Sequence, residues 1–450
     1  MKIAALFILV FLSAAAFTQQ TYSLQDCFAA AKENNIGLKK IQNDIDASKI
    51  DKKAATFNLF PSVYANAEHI FSSGKNIDPV TNNFVRDNFS GGEFDVTFQL
   101  NIFSGFNALN AIKSSLYKIK SGEYTYQNTE LETFSAITMA YAKAMFNKEQ
   151  IATVRNNNMV TQNELNTVQE KIDVGKLSKS DYYTINTRYK SEQALLINMQ
   201  NDSVSSINDL KYLTGFNLNS SFNIKDIDST ELKNIIAKDF TIDDILGKVL
   251  KDHPALLASL YAEKSAEMNV KTAKGNLIPN ISLTGNVFSN YNLNEKNVNN
   301  LHTAFGKQLN NNFGKTAGIL VEIPLFNKYQ SRFAIEKEKI NLSNAKLATQ
   351  QIEKDIEKNT QQLLNDFITA RQQYLLQSES LQQGELAYEA FEERHTLGYI
   401  SSLELILAKD QLYAQQVKTV QAKYDLYFKY QLLNMLIEME HWEINDAAKL

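Results

Sequence analysis

Five histidines, one thiol and several carboxylate pairs are the residues with enough chemical reach to hold a metal or to drive acid-base or nucleophilic work. His69, His253, His302, His395 and His441 are scattered, with no His-x-x-x-His spacing that would put two imidazoles on one helix face. None lies beside a plausible nucleophile, and the chain has no Gly-rich phosphate loop and no Gly-x-Ser-x-Gly turn. A single cysteine, Cys27, excludes an internal disulfide framework and any multi-cysteine metal site. Leu24-Gln25-Asp26 before it lacks the small residues of lipoprotein processing, so Cys27 reads as a buried free thiol. The paired acids Glu392-Glu393 and Asp243-Asp244 fall in helical patterns and read as solvated faces. The expectation is a protein with no enzymatic activity, no cofactor and no metal. Lys and Arg number 46 against 50 Asp and Glu, for a formal charge of −4, so no basic excess points to nucleic acid.

What these residues are mounted on is a helical scaffold. Of 450 residues 44% are apolar, enough for a large core, while Gly (16) and Pro (5) are scarce, as long uninterrupted helices require. The chain repeats itself. Asn58-Leu59-Phe60-Pro61 is matched by Asn276-Leu277-Ile278-Pro279, and Leu100-Asn101-Ile102-Phe103 by Ile323-Pro324-Leu325-Phe326. Val174-Gly175-Lys176-Leu177-Ser178 pairs with Leu397-Gly398-Tyr399-Ile400-Ser401. Phe103 and Gly175 are 72 positions apart, and so are Phe326 and Gly398, so one rigid element is duplicated. Inside each spacer the apolar residues follow three-and-four steps, as at Phe134, Ile137, Tyr141 and Ala144, or Leu363, Phe367, Ala370 and Tyr374. A helix filling such a spacer is about 100 Å long at 1.5 Å per residue. The helical pattern resumes after each glycine, which makes Gly175 and Gly398 hairpin turns. Shorter helices are expected over about 24–57 and 242–274, interrupted at Asn34-Asn35 and His253-Pro254.

Residues 1–16, a basic start followed by an apolar run and Ala14-Ala15-Ala16, read as a secretory signal peptide. The remaining boundaries are a first repeat over 17–214, a linker over 215–240, a second repeat over 241–441 and a tail over 442–450. No later segment is long and apolar enough for a transmembrane helix. Four segments alternate instead, at about 61–73, 92–104, 279–291 and 315–326. Phe94, Val96, Phe98, Leu100 and Ile102 interleave with Asp95, Thr97, Gln99 and Asn101, and Ile281, Leu283 and Val287 with Asn280, Ser282 and Thr284. Such strands, roughly ten residues long, suit a tilted bilayer crossing with one face in lipid and one in water. Four strands cannot close a barrel, and an open edge in lipid leaves backbone groups unpaired, so several copies of the chain must share one barrel.

With these residues in view, the sequence resembles the TolC family of outer-membrane efflux and secretion channels. The paired repeats, two strands per repeat, and the turns Val174-Gly175…Asp181 and Leu397-Gly398…Glu404 carry the resemblance, and the loop Gly74–Asn82 resembles the Bacteroidetes branch. It implies a mainly α fold with membrane β. In that fold each chain of a homotrimer gives four strands to a twelve-stranded barrel, which the helices continue as a tunnel across the periplasm. It further implies an outer-membrane exit duct for a tripartite efflux or type I secretion system, a passive conduit opened by a periplasmic adaptor and energised by an inner-membrane pump. A periplasmic coiled-coil or adaptor protein without a pore is the alternative; it leaves the four alternating strands unexplained.

The resemblance also assigns residues. Val174, Gly175, Lys176, Leu177 and Ser178, with Leu397, Gly398, Tyr399, Ile400 and Ser401, would form the tips on which the adaptor docks. Glu404 would line the constricted entrance, although Leu407 stands where a second acid is often found. Asp181 and His395 would pair between the hairpins and hold the tip shut, more tightly once His395 is protonated. Asp95, Thr97, Gln99, Asn101, Asn280, Ser282, Thr284 and Glu322 would keep the barrel lumen hydrated.

Overall fold

The computed structural model describes residues 21–77, 82–227, 229–294 and 301–438. The expected signal peptide, the tail over 442–450, His441 and the loop residues Asp78–Thr81 lie outside them. The chain runs β1 (Thr21–Tyr22), α1 (Leu24–Asn34), α2 (Ile36–Phe57), β2 (Ser62–Ile77), β3 (Phe84–Ser104), α3 (Asn107–Asp173) and α4 (Lys179–Thr214). It continues through β4 (Asn223–Ile224), α5 (Ser229–Ile236), α6 (Ile242–Asp252), α7 (Pro254–Gly275), β5 (Asn280–Asn292), α8 (Phe305–Asn311), β6 (Gly314–Glu322), α9 (Gln330–Thr396) and α10 (Ser402–Ile437).

The helices come in two series of equal length. α1 and α6 have 11 residues each, α2 and α7 have 22, α3 and α9 have 67, and α4 and α10 have 36. The break between the first two members of each series is local chemistry. Asn35 (ψ 124) and His253 (ψ 120) leave the helical region at the same point. The Asn35 carbonyl side chain accepts the N–H of Gly37 at 2.8 Å, and Pro254 opens α7, where a missing N–H costs nothing.

Two compact units result, and each draws on both repeats. The first comprises the described residues up to Ile41, Tyr126–Pro254 and those from Glu353 onward. Its core includes Leu24, Ala31, Ile137, Met145, Leu210, Phe367, Leu426 and Leu433. Cys27 is fully buried there, and burial pushes its thiol up to about 12, so it is inert as a nucleophile. The segment read as a linker is part of this unit: β4 pairs in parallel with β1, and the Tyr141 hydroxyl donates to the carbonyls of Tyr22 (3.1 Å) and Lys225 (2.7 Å) beside that pair.

The second unit comprises Gln42–Thr125 and Ala255–Ile352. Its centre is an antiparallel sheet in the order β2-β3-β5-β6. β5, of 13 residues, covers nearly the expected range and β6, of 9, stops at Glu322, short of the expected 326; β2 and β3, of 16 and 21, run past theirs and pair as far as Ile77 and Phe84. At Gly92 a Cβ would lie 1.9 Å from the Glu68 carbonyl oxygen, so only glycine fits. The His69 and Tyr291 rings stack across that bare position, with Nδ1 2.7 Å from the phenol oxygen. α8 packs on β5, where the Gln308 side chain bridges the Asn292 N–H (2.8 Å) and carbonyl (3.0 Å). β2 and β6 are the sheet's two edges, so the sheet of a single chain is not closed.

Candidate hairpin tips and polar sheet face

Both hairpin turns are built alike. At the first, the Gly175 N–H donates to Ile172 (2.8 Å) and Lys176 to Lys171 (2.8 Å); at the second, Gly398 donates to His395 (2.9 Å) and Tyr399 to Arg394 (2.9 Å). This is a Schellman ending, which needs a left-handed residue, and Gly175 (φ 74) and Gly398 (φ 79) supply it. Three residues after each glycine a serine caps the next helix. Ser178 donates its N–H (3.1 Å) and hydroxyl (2.8 Å) to Asp181 Oδ2, and Ser401 donates the same two groups to Glu404 Oε2 at 2.9 and 3.0 Å. The six-residue step from glycine to acid is therefore a helix stop followed by a capping box. The Ser401 N–H, then its hydroxyl, hold the Glu404 carboxyl below its ordinary value.

That geometry corrects two expectations. Asp181 does not pair with His395 within the chain, because its carboxylate caps α4. His395 Nε2 hydrogen-bonds Ser402 Oγ at 3.0 Å and lies 3.8 Å from Glu164 Oε1 on α3. Contact between the hairpins at His395 thus runs through Glu164, whose Oε1 is buried and takes no hydrogen bond among the described residues. Ile400 does not belong to a docking surface: it is 9% exposed and anchors the turn from inside. Leu177, its counterpart, is half-buried, whereas Val174, Lys176, Leu397 and Tyr399 (75%) are exposed.

Deeper in the same hairpins lies a buried ionic cluster that the sequence reading did not single out. Lys409 Nζ donates to the Asn157 carbonyl (2.6 Å) and to Thr161 Oγ1, and lies 3.7 Å from Glu192 Oε1. Arg188 Nε donates to Glu192 at 2.9 Å, and its Nη2 bonds Asp410. Burial pulls the Lys409 ammonium down and pushes the Asp410 carboxyl up. α3, α4 and α10 are tied together here.

In the sheet, directly opposed residues share a face. The register sets Gln99 against Thr284 and Ser62, Thr97 against Asn286, Asp95 against Asn66, Asn101 against Ser282, and Asn280 against Glu322. All eight residues expected in the lumen therefore fall on one face, which Ser62, Asn66 and Asn286 extend and on which Tyr64, Phe288 and Leu320 also stand. Asp95 Oδ2 accepts from Asn66 (3.1 Å) and Thr97 (2.9 Å). The opposite face carries Val63, Ala65, Val96, Phe98, Leu100, Leu283, Ile319 and Val321. Among the described residues no helix is long and apolar enough to cross a membrane, and no group of three His, Cys, Asp or Glu is placed to hold a metal.

An open-edged amphipathic sheet, combined in one chain with long capped hairpins, is the architecture of the TolC-like channel class. The model of the outer membrane efflux protein family matches residues 28–216 and 245–437, and the chain belongs to that family of efflux channels. It is 22% identical over 343 residues to the outer membrane efflux protein BepC of Brucella suis biovar 1, covering 75% of this chain and 71% of that one. Its fold is similar to that of CusC (TM-score 0.79, 14% identity, 92% of this chain and 91% of the other). It is likewise similar to that of the Campylobacter jejuni outer membrane channel CmeC (TM-score 0.75, 17% identity, 92% and 85%).

Proposed function

We propose that this chain is the outer-membrane exit duct of a tripartite efflux or type I secretion system, working as a homotrimer in a Gram-negative outer membrane. The observation that carries the proposal is the four-stranded sheet with one mainly polar face, one mainly apolar face, and two edges unpaired. In lipid such edges must be closed, and strands from further copies of the chain close them. Three copies make twelve strands, and the polar faces then enclose water.

Such a conduit lowers no chemical barrier. A periplasmic adaptor docks on the exposed tip residues Val174, Lys176, Leu397 and Tyr399, and an inner-membrane pump supplies the energy. Opening separates the hairpins at the tip, selected by tighter adaptor binding to the open state. Glu404 lines the entrance, and His395 with Glu164 is the polar link between the hairpins that opening breaks.

An in-cell crosslink from Lys176, followed by detergent extraction and mass spectrometry of the attached proteins, tests this reading. An adaptor recovered with a proton-driven pump supports small-molecule efflux, and one recovered with an ATP-driven transporter supports secretion. If no adaptor is captured and the chain extracts without detergent, the reading fails.

A further inference from the structure

Where the sheet gives way to the helices, the register places Ser104, Asn280 and Glu322 in one row across β3, β5 and β6. Together with Asn107 and Asn276 they line a cavity of about 220 Å³. The cavity is rich in unmatched oxygen. Asn107 commits its Nδ2 to Asn276 Oδ1 at 2.7 Å, which turns its own Oδ1 away from that partner. The Asn107 Oδ1 and Asn280 Oδ1 atoms are both buried and accept no hydrogen bond among the described residues. Glu322 makes no ion pair among the described residues, and no Lys, Arg or His lines the space. Two buried amide oxygens left without a donor are costly, and the exposed Glu322 carboxylate belongs to the same lining.

The backbone holds this arrangement in place. A Cβ at Gly275 would stand 1.9 Å from Asn107 Oδ1 and 2.5 Å from the Gly105 carbonyl oxygen. Glycine at 275 is thus the vacancy into which the Asn107 amide fits.

We infer that this cavity is a site for a hard divalent cation of the calcium class, bound by the Asn107 and Asn280 amide oxygens, the Glu322 carboxylate and the Ser104 hydroxyl, with water completing the shell. Ca²⁺ takes six to eight oxygens in a flexible geometry, which neutral amide ligands suit, whereas Mg²⁺ demands a tight octahedron and keeps its water. The volume accommodates an ion and several waters. With one carboxylate the affinity is weak, with Kd on the order of 0.1–1 mM. The bound ion would fasten three strands to the start of α3. The inference stands on the chain's own geometry and does not need the channel reading.

The test is Ca²⁺ binding by the full chain, purified in detergent after treatment with a chelator, read by calorimetric titration with CaCl₂ alone and by the Ca²⁺-induced shift in Tm. One saturable site per chain is expected, weakened at least tenfold by Glu322→Gln and severalfold by Asn280→Ala, with Mg²⁺ competing poorly. Size-exclusion chromatography checks that each variant assembles as the parent does, and Ser104→Ala serves if one does not. Equal Ca²⁺ affinity in parent and Glu322→Gln, a Tm shift that survives Glu322→Gln, or no saturable binding below 10 mM (about tenfold above the expected Kd range) would each overturn it.

Discussion

Replacing Lys409 by Met tests how the hairpins are held together. The cluster contains two cations, Arg188 and Lys409, and two anions, Glu192 and Asp410, so it is neutral as it stands. The side chains of Lys409 and Glu192 are only 10% and 5% exposed. Met fills the aliphatic volume but leaves a net negative charge, with Glu192 keeping one cation 2.9 Å away. Breaking a buried pair by removing one partner costs about 3–5 kcal/mol, and the surviving Arg188 bond places this case at about 3 kcal/mol. That corresponds to a roughly 100-fold larger opening constant, read as faster exchange. Native-state hydrogen exchange of the α10 amides near residue 409 reads the opening where the cluster sits, so it is the assay. Pairing Lys409→Met with Glu192→Gln restores neutrality and is expected to recover all but about 1 kcal/mol of the loss, a coupling that only neighbouring groups show. A single-variant change below about threefold, or a double variant as unstable as the sum of its parts, would refute the reasoning.

Three other outcomes follow from local geometry. Burial lowers His253 from 6.5 to about 4, so between those values the unfolded chain binds a proton that the folded chain refuses. Stability is full above about pH 6.5 and falls by up to about 3 kcal/mol as pH drops toward 4, and thermal melts at pH 7.5 and 5 should show His253→Asn flattening that loss. Gly175→Ala and Gly398→Ala meet no atom within 4 Å but keep a positive φ, so each should cost only about 1–2 kcal/mol and lower Tm by a few degrees without abolishing assembly. Lys328 (φ 55) is exposed and left-handed where the first repeat has Gly105 (φ 61), so Lys328→Gly should raise stability by about 1 kcal/mol, measured as a higher Tm.

Equal spacings made the long helices legible, because a duplicated 72-residue step leaves room for little but a repeated rigid rod. Strand alternation likewise located the polar sheet face, since side-chain direction has a period of two whatever the partner strand. The tips were half legible. Glycine marks each stop, but Asp181, which the resemblance offers as a lock, is already spoken for by Ser178 three residues earlier in a capping box. The link from His395 to Glu164 and the cluster around Lys409 join residues more than 200 positions apart, and no local pattern announces such meetings. α5, eight residues long, and the two-residue pairing of β1 with β4 were hidden inside a stretch read as a linker, because elements that short are set by what they pack against rather than by their own period.

Cysteine labelling in intact outer-membrane vesicles tests the central claim most directly. In a Cys27→Ser background, Thr97→Cys and Thr284→Cys sit on the polar face and Val96→Cys and Leu283→Cys on the apolar one. A water-soluble maleimide is expected to label the first pair and spare the second. Equal labelling of all four positions, or labelling of the apolar face alone, would contradict a shared barrel with water inside and lipid outside.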